Sequence, residues 1–231
     1  MDDWLIRQSM LIGNDATQKL KNSRVAVIGL GGVGGAAVEA IARCGAGNIF
    51  VMDYDTFEPS NINRQILALS GSVATAKSAA AKARILAINP AADVTAVNEK
   101  FCSQTADRLG AFKPDYVIDA IDMVSAKREL IEYCKNKDIA VISCMGTGNR
   151  LDAHSFAIGD IEDTSGCGCP LVRVMRRELR KRGVSGVTVL YARDIPLEPK
   201  DKGSSPASIS FVPPVAGYLM AGHVIRSLID K

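Results

Sequence analysis

The chain has few of the side chains that build zinc sites. Its 231 residues include two histidines, His154 and His223, and neither stands in a motif. There are six cysteines, but no Cys-x-x-Cys pair. Cys167 and Cys169 form the only close pair, and no second pair is present to complete a tetrahedral set of ligands. The sequence therefore disfavours a structural zinc site.

Uninterrupted apolar segments and export signals are absent as well. The one long apolar stretch, residues 211–229, is interrupted by Pro213, Pro214, His223 and Arg226. A packed C-terminal helix is therefore expected, with no membrane span. No signal segment with a cleavage site occurs, and the cysteines look free, so we expect the reducing cytoplasm. The hydrophobic share of 47% is enough for an ample core, in either one large domain or one with an appended lobe.

The most informative motif is a glycine cluster behind an apolar run. Residues 25–34 read VAVIGLGGVG, which places Gly29, Gly31 and Gly34 directly after a predicted strand. Glycines in this pattern let the backbone turn tightly, approach a phosphate and pack the next helix on the sheet. Asp53 closes the following apolar run and is expected to accept hydrogen bonds from ribose hydroxyls. The pattern predicts nucleotide binding, and a glycine-rich turn without a ligand is the alternative.

The residues after Asp53 favour a triphosphate over a dinucleotide. A dinucleotide is usually held by backbone amides alone. Here the chain offers two amides, a guanidinium and an ammonium, from Asn61, Asn63, Arg64 and Lys77. Arg64 can bind phosphate oxygens bidentately, and Lys77 can add a point charge. Taken singly, each of these residues also fits an exposed loop or a solvated helix.

The fourth predicted strand ends in two carboxylates. Asp119 lies within the apolar run, so we expect a structural role for it first. Asp122 stands where ligands bind in open parallel sheets, and Mg²⁺ prefers one or two carboxylates together with phosphate oxygens. Asp122 is therefore the candidate magnesium ligand. The alternative is that Asp122 caps the helix that follows it.

The alternation of elements predicts an α/β fold, a doubly wound and mainly parallel Rossmann-like sheet with antiparallel C-terminal additions. Residues 196–206 are expected to form a mobile polar loop. The strands are predicted at 24–29, 48–53, 93–98, 116–121 and 140–145, with additions at 186–193 and 208–212. The helices are predicted around Arg7 and at 33–44, 75–88, 103–110 and 125–136.

Positive charge is concentrated in one segment. Residues 173–182 contain six basic residues and one acidic residue. Pro170 and Gly183 bracket this segment as the start and the end of an amphipathic helix. Such a helix suits the phosphate backbone of RNA, and an ordinary solvated helix explains it equally well.

Taken together, the motifs resemble the bacterial E1-like adenylating enzymes of the ThiF, MoeB and HesA group. The resemblance implies that a carboxylate attacks the α-phosphate of ATP, pyrophosphate leaves and an acyl-adenylate forms. No general base is needed, because a carboxylate is already ionised near neutral pH. The resemblance rests on Arg7-Gln8, residues 29–34, 53–55 and 60–65, Lys77, Asn89-Pro90 and residues 119–122.

The same resemblance implies the site residues and the assembly. Arg7 would reach the phosphates from the neighbouring subunit of a homodimer, and Arg7, Arg64, Lys77 and Asp122 would be the catalytic residues. Residues 1–231 would be a single domain, with a nucleotide-binding core at 1–150 and a substrate-binding and dimerisation part at 151–231. The nucleotide site would comprise Gly29, Gly31, Gly32, Gly34, Asp53, Asp55, Asn61, Asn63, Arg64, Lys77 and Asp122, with Asp122 on the Mg²⁺ ion.

Two branches of the group differ in what they activate. Members that activate ubiquitin-like sulfur carriers typically hold zinc through two Cys-x-x-Cys pairs, which this chain lacks. The chain resembles more closely the branch that adenylates threonylcarbamoyladenosine at position 37 of tRNA and cyclises it with loss of water. Activation of a ubiquitin-like sulfur carrier remains an alternative function. An NAD(P)-binding oxidoreductase and a non-catalytic nucleotide-binding module are alternatives of another class.

Two secondary expectations concern a protein partner and a cysteine that accepts the acyl group, for which Cys144, Cys167 and Cys169 would be the candidates. A sulfurtransferase-type protein is a candidate partner. Cys144 is expected to lie buried in a strand, because cysteine is often buried. Cys167 and Cys169 lie in a glycine-rich loop and are expected to be accessible.

Overall fold

The computed structural model describes residues 3–201 and 206–230. The strands are β1 (Arg24–Ile28), β2 (Asn48–Met52), β3 (Asp93–Val97), β4 (Tyr116–Asp119), β5 (Ala140–Cys144), β6 (Phe156–Asp160) and β7 (Thr188–Ala192). The helices are α1 (Ile6–Ile12), α2 (Asn14–Asn22), α3 (Gly32–Arg43), α4 (Lys77–Ile88), α5 (Ala106–Phe112), α6 (Val124–Asn136), α7 (Pro170–Arg180) and α8 (Val212–Ile229). Short 3₁₀ turns occupy Asp3–Leu5, Pro59–Asn61, Ser70–Ser72 and Ile161–Thr164.

The strands form one seven-stranded sheet in the order β3-β2-β1-β4-β5-β7-β6. All neighbouring strands are parallel except β6 and β7, which are antiparallel. The predicted fold class is therefore confirmed. Strand order reverses between β1 and β4, and open α/β sheets bind ligands at such a switch point, beyond the carboxyl ends of the strands.

Alternate residues of β1 face two hydrophobic layers. Val25 and Val27 pack in the cluster that contains residues of α3 and α8. Ala26 and Ile28 pack in the cluster that contains residues of α5 and α6. Because both faces of the strand are covered, β1 is apolar from Val25 to Ile28, as central parallel strands are. The glycine turn that follows β1 thus starts from the rigid centre of the sheet.

The C-terminal additions differ in detail from the prediction. Residues 208–212 form no strand, because α8 already begins at Val212, with Pro213 and Pro214 in its first turn, where proline is favoured. The antiparallel partner of β7 is instead Phe156–Asp160, which the sequence analysis did not identify. Residues 196–201 and 206 belong to no helix or strand, in agreement with the expected loop, while 202–205 lie outside the described residues.

Two predicted helices agree with the structure. Helix α7 begins at Pro170, as expected, and ends at Arg180, three residues before Gly183. Helix α8 covers most of the long apolar stretch and buries eight of its residues. In the described part of the chain, no helix is long and apolar enough to cross a membrane.

Candidate functional site

The glycine turn after β1 is held in a conformation that requires glycine. Gly29 has φ +88°, and a Cβ there would lie 2.7 Å from the carbonyl oxygen of Ala120. A Cβ on Gly34 would collide with the carbonyl oxygen of Gly29. Helix α3 begins at Gly32 with no side chain capping its first N–H groups. Those free N–H groups and the positive end of the helix dipole form an anion site at the sheet's switch point.

Asp53 closes β2 and is tied to the glycine turn. Its Oδ2 accepts a hydrogen bond from the Leu30 amide at 2.6 Å, and its Oδ1 accepts one from the Asp55 amide at 2.9 Å. Burial raises the pKa of Asp53, against the lowering effect of these amides and of the Lys77 charge. Each oxygen keeps a further lone pair that a ribose hydroxyl can use. The carboxylate therefore also fixes the turn, a role that the motif alone did not indicate.

Two cations stand beside the turn, each already in contact with protein. Lys77 opens α4 and is buried, with its Nζ 2.9 Å from Oδ2 of Asp55. The Arg64 guanidinium donates to the Ser60 carbonyl at 2.8 Å and to Oδ1 of Asn63 at 3.0 Å. Lys77 has three donor hydrogens and Arg64 has five, so both retain donors for phosphate oxygens.

The two aspartates at the carboxyl end of β4, Asp119 within the strand and Asp122 after it, have separate roles. Asp119 is fully buried, and its Oδ2 lies 2.8 Å from Lys127 Nζ and 2.6 Å from Ser143 Oγ. Its Oδ1 accepts from the Ile121 amide at 3.0 Å, which holds the turn toward Asp122. Asp122 is exposed, and Met123, not Asp122, is the N-cap residue of α6. The capping alternative for Asp122 is therefore wrong.

These elements surround one cavity of about 610 Å³ at the carboxyl edge of the sheet. The cavity brings together eight of the predicted residues: Gly29, Gly31, Gly32, Asp53, Asp55, Arg64, Lys77 and Asp122. Gly34, Asn61, Asn63 and Arg7 do not line it. Asn61 is buried in the 59–61 turn, where its Oδ1 accepts from the Glu58 amide at 3.2 Å. Asn63 Nδ2 donates to the carbonyl of Ser208 at 3.3 Å.

Several further polar residues line the cavity, and in the described structure three of them have buried side-chain atoms without a hydrogen-bond partner. They are Gln65, Arg150 and Ser208. Gln65 belongs to the 60–65 motif but was not predicted as a site residue. Arg150 ends the segment 146–150 beyond β5, and this position at the carboxyl edge of a parallel sheet was the available signal.

Two of the three candidate cysteines, Cys144 and Cys169, are buried. Burial raises the pKa of Cys144 to about 12, so this residue is a neutral thiol at neutral pH. Cys144 and Cys169 both line the cavity, but the expectation that Cys169 is accessible is wrong, since it is buried. Cys167 is half-buried, and all six cysteines are free.

The basic segment that contains α7 is partly neutralised. Four of its six basic side chains form ion pairs with Glu132, Glu162 or Glu178. Arg176 donates to Thr164 Oγ1 at 3.4 Å. Within the described residues, Arg173 has no acidic partner for its exposed side chain. The exposed positive charge is therefore smaller than the sequence suggests.

Arg7 lies on α1, which presents apolar side chains to the surface. Met10 and Leu11 are 83% and 85% exposed, and Arg7 is exposed beside them. The neighbouring Gln8 donates to the Cys44 carbonyl at 3.0 Å, so α1 is attached to the body of its own subunit. An exposed apolar surface of this kind is typical of a protein contact.

The chain is similar to known proteins along nearly all of its length. The model of the ThiF family matches residues 5–231. A Bacillus subtilis protein named tRNA threonylcarbamoyladenosine dehydratase is 38% identical over 239 residues, covering 96% of this chain and 93% of that protein. The E. coli structure of tRNA N6-threonylcarbamoyladenosine dehydratase, TcdA, with AMP has a TM-score of 0.92 and 30% identity, covering 100% of this chain and 97% of that one. The structure of that protein with ATP has a TM-score of 0.90 and 29% identity, with the same coverage.

Proposed function

Because the chain belongs to the ThiF family, we propose that it is an ATP-dependent enzyme that adenylates threonylcarbamoyladenosine in tRNA and closes a ring on it with loss of water. The Bacillus subtilis relative bears the name of this dehydratase, and the similar E. coli structures hold AMP or ATP. In this chain the proposal rests on one observation, the single cavity that the glycine turn, Arg64, Lys77 and Asp122 share.

The first step is adenylation. A carboxylate oxygen of the substrate attacks the α-phosphorus of ATP, the bond to the β-phosphate oxygen breaks and pyrophosphate leaves. The site must align the attacking oxygen and neutralise charge on the phosphate oxygens. The N-terminus of α3, Arg64 and Lys77 supply that positive potential, and Asp53 orients the ribose.

The second step is ring closure. An internal nucleophile of the threonylcarbamoyl side chain attacks the activated carbonyl carbon, and AMP leaves. Adenylation and closure together remove one water from the nucleoside. Closure is intramolecular, so a site that holds the acyl-adenylate in place accelerates it strongly. The step needs no protein nucleophile, which agrees with the buried, neutral thiol of Cys144.

A magnesium ion is proposed on Asp122. No group of three or more His, Cys, Asp and Glu side chains in the described chain could hold a metal by itself. One carboxylate is nevertheless sufficient, because Mg²⁺ in nucleotide sites takes its other ligands from phosphates and water. The ion would neutralise charge on the leaving pyrophosphate.

A homodimer is proposed as well. Arg7 is exposed beside the apolar side chains of α1 and far enough from its own cavity not to line it. A contact through α1 would let Arg7 serve a neighbouring site. A sulfurtransferase-type partner and a location in the cytoplasm, where tRNA is modified, complete the proposal.

The direct test uses tRNA that carries threonylcarbamoyladenosine. After incubation with the protein, ATP and Mg²⁺, nuclease digestion and mass spectrometry should show the nucleoside lighter by one water, with AMP and pyrophosphate formed. The reaction without ATP is the control. An unchanged nucleoside in the presence of folded, ATP-binding protein would refute the proposal.

Two rival functions are separated by their own assays. A sulfur-carrier activator would exchange pyrophosphate with ATP only when a small protein ending in Gly-Gly is added. An oxidoreductase would bind NAD(H) and keep that binding after Arg64 or Lys77 is replaced. Either result, together with unmodified tRNA, would favour the rival.

A further inference from the structure

Buried side-chain polar atoms without a hydrogen-bond partner belong mostly to residues that line the cavity. Among the described residues, four of the six buried side-chain atoms without a hydrogen-bond partner belong to Gln65, Arg150 and Ser208, which all line it. The other two, Arg128 Nε and Glu132 Oε1, face each other at 3.7 Å. Buried polar atoms in native proteins almost always have partners. The cavity is therefore built for polar atoms that the protein itself does not supply.

Arg150 has two such unpartnered atoms, whereas Gln65 and Ser208 have one each. Its side chain is fully buried. Its Nη1 donates to the carbonyl of Asp194 at 2.8 Å and also to the Asp194 carboxylate. Ser155 Oγ holds the same carboxylate oxygen of Asp194 at 2.5 Å. One end of the guanidinium is thus fixed, while Nε and Nη2 have no acceptor.

The chemistry of these two atoms specifies the ligand. Nε and Nη2 form one edge of the planar guanidinium, whose parallel N–H groups match the two oxygens of a carboxylate or phosphate. A buried donor without an acceptor destabilises the protein, and a charged donor does so more strongly. An anionic group with two oxygens would remove this cost, and the fixed Nη1 preorganises the edge to receive it.

The position of Arg150 identifies which anion this is. Asp53 follows β2, the glycine turn follows β1, Asp122 follows β4, and Arg150 lies beyond β5. The predicted ribose and phosphate sites therefore occupy one side of the cavity, and Arg150 lies on the other. The phosphates are already provided with Arg64, Lys77 and the α3 N-terminus, so the anion at Arg150 belongs to the second substrate.

Ser208 belongs to the same side of the cavity. The Asn149 amide donates to the Ala207 carbonyl at 2.7 Å, and the Ala207 amide donates to Asn149 Oδ1 at 2.6 Å. This pair of hydrogen bonds holds the backbone before Ser208 against the segment that ends in Arg150. Asn63, which precedes Arg64, donates a hydrogen bond to the Ser208 carbonyl. This contact connects the segment around Ser208 to the predicted phosphate-binding residues. The unpartnered Ser208 hydroxyl is thus held beside the Arg150 segment.

We propose that Arg150, with Ser208 beside it, binds the carboxylate of the acyl substrate and positions it for attack on the nucleotide. This inference rests on the proposed function, since the carboxylate is that of threonylcarbamoyladenosine. The guanidinium holds the acid through its Nε and Nη2 donors, and the Ser208 hydroxyl serves a neighbouring polar atom of the side chain.

The test compares an acid with its amide. The free nucleoside threonylcarbamoyladenosine and its carboxamide are used as inhibitors of the reaction with modified tRNA, at saturating ATP and Mg²⁺. The unaltered protein should prefer the acid. Arg150→Gln and Arg150→Lys should lower that preference about ten-fold or more, because neither offers the bidentate edge. Ser208→Ala should weaken binding of both inhibitors by a smaller factor.

Two controls separate structural damage from lost recognition. The Kd for ATP, measured by equilibrium dialysis, should change less than about two-fold in each variant, since Arg150 does not hold the nucleotide. Arg193→Gln removes an exposed arginine beside Asp194 and should leave the acid preference unchanged. If Arg150→Gln does not fold, Arg150→Lys, which keeps the charge, gives the result.

The outcomes are distinct. If the unaltered protein does not dehydrate modified tRNA, the proposed function fails. If it does, and the Arg150 variants keep the full preference for the acid, then Arg150 holds only buried water or a structural contact, and this inference is wrong.

Discussion

At the scale of single residues, Lys77 is the clearest test of the phosphate site. Its Nζ is bound to Asp55 at 2.9 Å and is buried, so the ammonium is held in place before any nucleotide arrives. A preorganised charge at the position of a developing charge stabilises a transition state more than a mobile one does. The ion pair with Asp55 therefore orients Lys77 and is compatible with the proposed contact to phosphate.

We predict that Lys77→Met lowers the rate of AMP formation from ATP and modified tRNA by roughly 10²-fold or more, a loss typical of one electrostatic donor. The measurement is the initial rate at saturating substrates. Lys82→Met, an exposed lysine of the same helix, is the matched control and should keep nearly full activity. A Lys77→Met protein with a normal rate would remove this residue from the site.

Burial decides which of the candidate cysteines could react. Sequence alone allowed Cys144, Cys167 or Cys169 to accept an acyl group. The structure buries Cys144 and Cys169 and raises the Cys144 pKa to about 12, so a thiolate is scarce where the substrate would be. The exposure and the pKa of a thiol decide whether a cysteine is reactive, and both depend on tertiary contacts that a sequence motif does not show.

At the scale of elements, α7 carries the candidate RNA contact. Four of the six cations of the segment 173–182 are paired with glutamates, whereas Arg173 is exposed and unpaired within the described chain. A cation that already has a carboxylate partner gains less from a phosphate than a free one does. The candidate RNA contact is therefore limited to the N-terminal end of the segment 173–182, at Arg173.

We predict that Arg173→Gln weakens binding of modified tRNA and lowers the slope of log K against log salt by roughly one, the value for a single lost phosphate contact. Filter binding over a series of salt concentrations measures this slope. Arg180→Gln is the control, because Arg180 is paired with Glu162 and should affect the slope less. Equal slopes for Arg173→Gln and the unaltered protein would indicate an ordinary solvated helix.

A buried ion pair joins three other elements under the site. Lys127 on α6 contacts Asp119 at the end of β4 and Ser143 on β5, and all three side chains are buried. Removing one member of such a pair leaves an uncompensated buried charge. Because Asp119 also holds the Ile121 amide, the pair fixes the turn that carries Asp122.

Lys127→Met should lower the free energy of unfolding by about 3–5 kcal/mol, as expected for a buried pair that loses one partner. Urea denaturation measures the change. The double variant Lys127→Met with Asp119→Leu should recover part of the loss, since no charge remains buried. Lys137→Met, at the exposed end of the same helix, should have almost no effect. A small loss for Lys127→Met would show that the pair is dispensable for stability.

Sequence patterns predicted the elements whose signals are local. The strand before Gly29, the turn and Asp53 were visible because strand, glycine and acid stand close along the chain. Strand β6 was missed because it is only partly buried and its partner β7 lies far along the chain. The strand expected at 208–212 failed because Pro213 and Pro214 favour a helix start.

The residues of the candidate site also fall into two groups, those with a local sequence signal and those without one. Arg64, Lys77 and Asp122, which line the cavity, could be predicted because their charges stand out next to a recognisable motif. Arg150 was missed because its importance depends on Asp194, 44 residues away, which binds one end of the guanidinium and leaves the other open. Such a feature depends on tertiary contacts and has no signature in local sequence.

At the scale of the whole molecule, α1 connects the site to assembly. Met10 and Leu11 are almost fully exposed, which is costly for a helix that has no further partner. A self-complementary contact through this helix in a two-fold dimer would cover them. Arg7 would then lie at the boundary between two copies of the chain.

Mixing experiments test whether Arg7 acts across that boundary. Arg7→Ala and Lys77→Met should each be nearly inactive alone. After joint unfolding and refolding of equal amounts, half of the dimers are mixed, and each has one complete site, so about a quarter of full activity should return. Sedimentation should show dimers throughout. Absence of recovery would mean that Arg7 serves its own subunit or none.

Helix α8 closes the site from the far end of the chain. Pro213, in its first turn, lines the cavity, and a Cβ on Gly217 would lie only 2.9 Å from the Cβ of Ala36 on α3. During synthesis the early strands and α3 emerge first, yet one wall of the phosphate cradle is still missing. A nascent chain on the ribosome would therefore be unable to retain ATP until α8 had emerged and docked.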